Sequence, residues 1–142
     1  MLAVDLNTRE VLIGPDCSIV FENDILKNIV PSGDELVATL TMKYYDEDIK
    51  KIKMNQLKGL ENTVYITVFG HDRVYSRLYS SETRTETDNT FSFGLRFQLK
   101  QGQIADFKDL KDKVKLGIAH DLYPYEIVLS DTLRTELVKD FA

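Results

Sequence analysis

The sequence predicts a mainly β fold, an antiparallel β-sandwich or partly open barrel carrying one or two short helices. Apolar and polar residues alternate with period 2 over several stretches, most cleanly in residues 91–100. Turn-forming residues separate these stretches, and few helical segments lie between them to act as crossovers for parallel strands. A chain of 142 residues, 43% of them hydrophobic, is read as one β-rich domain, 1–142, able to build a core without disulfides or a structural metal.

The elements follow in order. Val11 to Ile13 and Ser18 to Phe21 read as a hairpin around Gly14-Pro15-Asp16, which combines a turn former with a fixed-φ residue and an Asx side chain. In residues 35–45, Leu36, Ala38, Leu40, Met42 and Tyr44 alternate with Glu35, Val37, Thr39, Thr41, Lys43 and Tyr45. Residues 46–60 carry Ile49, Ile52, Leu57 and Leu60 near one helical stripe, with an acidic start and Gly59 near the end. Val64, Ile66 and Val68 oppose Tyr65, Thr67 and Phe69, so this strand is expected to be covered on both faces. Gly70-His71-Asp72-Arg73 reads as a tight connection into a strand over 74–79. That strand would place Tyr75 and Tyr79 on one face with Arg77 between them.

Residues 80–90 contain no large apolar side chain and read as a projecting arm or loop. Phe91, Phe93, Leu95, Phe97 and Leu99 then share one face, opposite Ser92, Gly94, Arg96, Gln98 and Lys100. Side chains of a strand point alternately to its two faces, which sends the first set to the core and the second to water. Residues 104–110 suit one or two helical turns. Strands are expected over 113–120 and around Tyr125, Ile127 and Leu129. In residues 131–141, Leu133, Leu137, Val138 and Phe141 fit a helix with Asp131 as N-cap, while Leu133, Thr135 and Leu137 also fit a strand.

The net charge is −5, with 18 basic residues interleaved among 23 acidic ones. Phosphate backbones call for clustered cations, so nucleic acid is not expected as a partner. No apolar run reaches the roughly 18 residues of a membrane span, and the start lacks the basic and apolar regions of a signal peptide. Synthesis in the cytoplasm is the resulting expectation, with no membrane partner. The two histidines each precede an aspartate, His71-Asp72 and His120-Asp121, but no further ligand follows at helical spacing. No metal site is therefore expected. Cys17 has no neighbouring base, and no serine stands in a Gly-x-Ser-x-Gly elbow. The seven glycines are dispersed, without a phosphate-cradling loop. No catalytic residue and no cofactor is assigned.

What remains is binding. Tyr and Arg on a strand beside a polar arm have the composition of a protein interface, since they join contact area to hydrogen-bonding tips. The candidate contact residues are Tyr75, Arg77, Tyr79, Thr83, Arg84 and Thr85. They describe a non-enzymatic structural or adaptor domain that docks on a protein partner or on itself. The alternative is a small barrel holding an apolar ligand among its aromatic rows.

The opening Val4-Asp5-Leu6-Asn7-Thr8-Arg9-Glu10-Val11 resembles the start of small β-sandwich modules in phage tail and baseplate proteins. It departs from them at the Ile13-Gly14-Pro15-Asp16-Cys17 turn. The resemblance implies a role in a virion or tail and carries over no site residue.

Overall fold

The computed structural model describes residues 9–22, 34–78, 89–109, 113–139 and 141. Its elements are β1 (Glu10–Ile13), β2 (Cys17–Glu22), β3 (Glu35–Lys43), α1 (Glu47–Gln56), a 3-10 turn (Leu60–Asn62), β4 (Val64–Val68), β5 (Val74–Tyr75), β6 (Arg77–Leu78), β7 (Thr90–Gln98), α2 (Gln101–Lys108), β8 (Val114–His120), β9 (Tyr123–Val128) and α3 (Asp131–Val138). Two antiparallel sheets result, ordered β1-β2-β3-β7-β6 and β5-β4-β8-β9. The fold is mainly antiparallel β with short helices, as the alternation predicts, and the sheets do not close into a barrel.

The core is built by the period-2 rows. Phe91, Leu95 and Phe97 of β7 meet Met42, Ala38 and Leu36 of β3 in register, and all six are at most 1% exposed. The opposing sheet contributes Val64, Ile66, Val68, Val114 and Leu116, all fully buried. Burying one such side chain is worth about 1.5–3 kcal/mol, so these rows dominate the stability of the fold.

Several local expectations are corrected. The polar row of β7 does not all reach water, because Ser92 is fully buried and its hydroxyl meets that of Thr41 across the strand pair at 3.1 Å. In α1, Asp46 is the N-cap, accepting from the Ile49 N–H. The covered stripe runs through Ile49, Lys50, Lys53, Met54 and Leu57, and this rotation leaves Ile52 57% exposed. α2 begins earlier than the apolar pattern suggested, and Leu110 lies outside the described residues. Residues 131–138 are helical, and the cap is Ser130 rather than Asp131, its Oγ accepting from the Leu133 N–H at 3.2 Å.

The correction that matters most for function falls at residues 74–79. The chain does not run on as one strand. Tyr75 pairs with Tyr65 in the four-stranded sheet, whereas Arg77 pairs with Arg96 in the five-stranded sheet. Ser76 makes the crossing between them. It is buried, its N–H donates to the Val64 carbonyl at 2.8 Å, and its Oγ donates to the Glu61 carbonyl at 2.8 Å. Both polar groups of the corner are thereby satisfied inside the protein.

Candidate functional site

The corner at Ser76 opens into a polar cleft of about 750 Å³. Tyr75 and Arg77 both line it, joined by Arg73, Arg96 and Lys100. The structure thus brings together two of the six sequence-predicted contact residues, by a sheet-to-sheet corner rather than by a shared strand face. Tyr79, Thr83, Arg84 and Thr85 lie outside the described residues, as does most of the 80–90 arm.

One wall of the cleft continues onto the outer face of the four-stranded sheet. Register sets Tyr75, Tyr65, Gly117 and Glu126 in one row across β5, β4, β8 and β9. Gly117 leaves room for the Tyr65 ring to lie over β8. There its Oη donates to Glu126 Oε2 at 2.5 Å. The Arg73 guanidinium stacks on the same ring, 4.0 Å from its centroid, and donates to Tyr75 Oη at 3.1 Å. The Tyr65 and Tyr75 rings stand 5.8 Å apart, and Lys115 approaches Glu126 at 3.7 Å. Burial, reinforced by the Glu126 hydrogen bond and charge, pushes the Tyr65 phenol up to about 12. Tyr75 remains 47% exposed. The result is a guanidinium and two rings already held in place, with one phenol presented to solvent.

The other wall is the end of the five-stranded sheet. Arg77 and Arg96 are direct cross-strand partners. Glu35, itself buried, approaches Arg96 Nε at 3.7 Å. Lys100, two residues past the end of β7, is the N-cap of α2, its backbone N–H held by Gln103 Oε1 at 2.8 Å. Gln103 in turn donates to the Asp72 carbonyl at 3.2 Å, which fixes the floor.

The groups weighed for chemistry lie elsewhere. His71 is not a free turn histidine: its Nε2 meets Asp106 Oδ2 on α2 at 2.7 Å, tying the β4–β5 turn to that helix. His120 Nε2 lies 3.1 Å from the Lys58 carbonyl. Cys17 is 3% exposed, and burial, with Asp16 adding to it, pushes its thiol up to about 12. Such a thiol is not a nucleophile at neutral pH.

Residue-level reading missed Tyr65, Arg73, Arg96 and Glu126 as parts of a site. The one local signal was the interleaving of aromatic and β-branched residues in 63–69. It told of a strand covered on both faces; Arg73 and Tyr75 supply that cover at Tyr65, whereas Phe69 lies past the end of β4 and is 66% exposed.

A family model matches residues 24–141, and its description is a protein of unknown function, DUF3501. The chain belongs to the DUF3501 family. No curated protein matches it. Among solved structures it is similar to a novel protein of unknown function from Burkholderia pseudomallei K96243, with a TM-score of 0.82 and 22% identity over 99% of this chain and 87% of that one. At that identity the likeness carries the fold and no function. The site of this DUF3501 chain must be read from its own residues.

Proposed function

We propose that this chain is a non-enzymatic docking domain, and that a protein partner seats on the corner cleft and the adjoining outer face of the four-stranded sheet. The observation that carries the reading is the ordered Tyr65–Arg73–Tyr75 cluster at the mouth of the cleft. Aromatic and arginine side chains dominate binding energy at interfaces, and a side chain already fixed in the free protein loses little entropy on binding. A stacked and hydrogen-bonded Arg73 beside an exposed Tyr75 meets both conditions. The cleft is lined by cations, amides and carboxylates, and its one buried serine, Ser76, has its hydroxyl committed to the Glu61 carbonyl. A binding role fits these groups better than hydrolysis. The virion role implied by the opening stretch rests on residues 4–11, of which 4–8 lie outside the described residues, and the docking reading stands without it.

The test places a photo-crosslinking residue at Tyr75 in the native host, with a control at Leu12, exposed on β1. The expected result is one discrete adduct from position 75, absent from position 12 and weakened by Arg73→Ala. A hot-spot truncation of this kind costs about 2 kcal/mol, roughly thirtyfold in affinity. An adduct with a second copy of the chain would identify self-association as the form of docking. Equal labelling from both positions, or an adduct indifferent to Arg73→Ala, would overturn the proposal.

A further inference from the structure

Arg77 and Arg96 stand directly opposite each other on β6 and β7. Both point away from the core, since their neighbours Leu78 and Leu95 face inward. Like charges in directly opposed cross-strand positions destabilise a sheet. Glu35 answers Arg96. Arg77 is exposed and forms no ion pair among the described residues. Lys100 and Arg73 line the same cleft, so four cationic residues border it together with the carboxylate residues Asp34, Glu35 and Asp72. Four cations against three carboxylates leave the cleft lining with a formal excess of one positive charge, on a chain that carries −5 as a whole.

We infer that the Arg77–Arg96 pair is a carboxylate-binding subsite, and that the docked partner is a protein segment bearing Asp or Glu side chains. The inference rests on the docking reading and adds the chemistry of the partner. A guanidinium offers a planar fork of donors that matches a carboxylate, and a carboxylate placed between the two arginines relieves their repulsion. The Gln98 and Gln101 amides on the same cleft suit the backbone of a peptide. A nucleic acid would carry a repeating negative charge across a protein that is itself negative, which weighs against it.

The experiment uses the full chain and fluorescence anisotropy with a labelled peptide alternating glutamate and serine. A same-length peptide with glutamine for glutamate is the control, and unlabelled single-stranded oligodeoxynucleotide and inorganic phosphate are competitors. The acidic peptide should bind at least about tenfold more tightly than the glutamine peptide, which corresponds to about 1.4 kcal/mol. Arg77→Gln should remove that preference, while the melting temperature holds or rises because a like-charge pair has been relieved. Arg77→Lys should restore only part of the preference, keeping the charge without the fork. Equal binding of the two peptides would overturn the inference, as would a full preference in Arg77→Gln. Displacement by the oligonucleotide or by phosphate at equal concentration would overturn it too, by showing a general anion site. The two proposals fail separately. Loss of the carboxylate preference with the position 75 adduct intact leaves docking standing, and the converse leaves a carboxylate site on a chain that docks elsewhere.

Discussion

Gly117 has no left-handed backbone requirement; what it needs is emptiness. A Cβ there would stand 2.3 Å from Cζ and Oη of Tyr65. Neighbouring strands lie about 4.8 Å apart, so a tyrosine on β4 reaches Glu126 on β9 only by crossing a strand position that carries no side chain. Gly117→Ala should therefore expel the ring, break its bond to Glu126 and leave Arg73 without its platform. Overpacking of this kind costs about 1–3 kcal/mol, to be read from urea denaturation. The pH dependence gives a second readout. The Tyr65 phenol is pushed up to about 12 in the folded protein, above an unfolded value of about 10. Its contribution to stability is thus complete below that unfolded value and is lost as pH rises towards the folded one. The stability gap between wild type and Gly117→Ala should narrow over that window. A variant as stable as wild type at neutral pH would show that the ring does not lie over the glycine. Tyr75 and Arg77 could be named as candidates from the sequence because interface composition is local, and both line the one cleft. The Tyr65 row was not, because the meaning of Gly117 depends on a register between strands distant in the chain.

At the scale of elements, the C-terminal helix shows how a charged residue can sit in an apolar stripe. Leu133 and Leu137 are buried, and Phe141 meets the Phe107 ring edge-on at 5.3 Å. Arg134 is 2% exposed on the same helix. Its Nη2 donates to the carbonyls of Phe107 at 2.8 Å, Asp109 at 3.1 Å and Asp106 at 3.3 Å. These carbonyls lie at the C-terminal end of α2, where a helix leaves acceptors unsatisfied and its dipole favours a cation. Arg134 thus caps α2 from α3. Apolar spacing left helix and strand both open for residues 131–141. The Ser130 cap and the phase of Phe141 now account for the helix, but the reach of an arginine to another helix has no local signature. Arg134→Met, which keeps most of the stem, should cost about 1.5–3 kcal/mol, the usual value of charge-assisted hydrogen bonds. Hydrogen exchange should show the α2 amides losing protection first. Unchanged stability would mean that solvent or another donor replaces the cap.

Across the whole molecule, the two sheets are joined at opposite sides by different means. One joint is the covalent corner at Ser76, beside the proposed docking cleft. The other is a hydroxyl: Tyr123 of β9 donates to the Ile13 carbonyl at 3.0 Å and accepts from the Asp16 N–H at 2.9 Å, pinning the β1–β2 turn to the four-stranded sheet. Gly14 in that turn has φ of 72°, and a Cβ on it would meet Tyr123 Oη at 2.5 Å, so both backbone and space require glycine. The alternation in the sequence was enough to find most strands and their antiparallel sense. It could not divide them between sheets, since the same rows of Val, Leu and Phe suit either partner and the division depends on the buried corner at Ser76. Tyr123→Phe separates the two joints experimentally. It removes both hydrogen bonds and leaves the carbonyl of Ile13, a fully buried residue, without its donor, at a cost of about 1–3 kcal/mol. The melting temperature should fall and the Asp16 amide should exchange faster, while the affinity for the acidic peptide stays within twofold of wild type. A loss of peptide binding equal to that of Arg77→Gln would show that the cleft depends on the far joint, and the corner would no longer count as an independent platform.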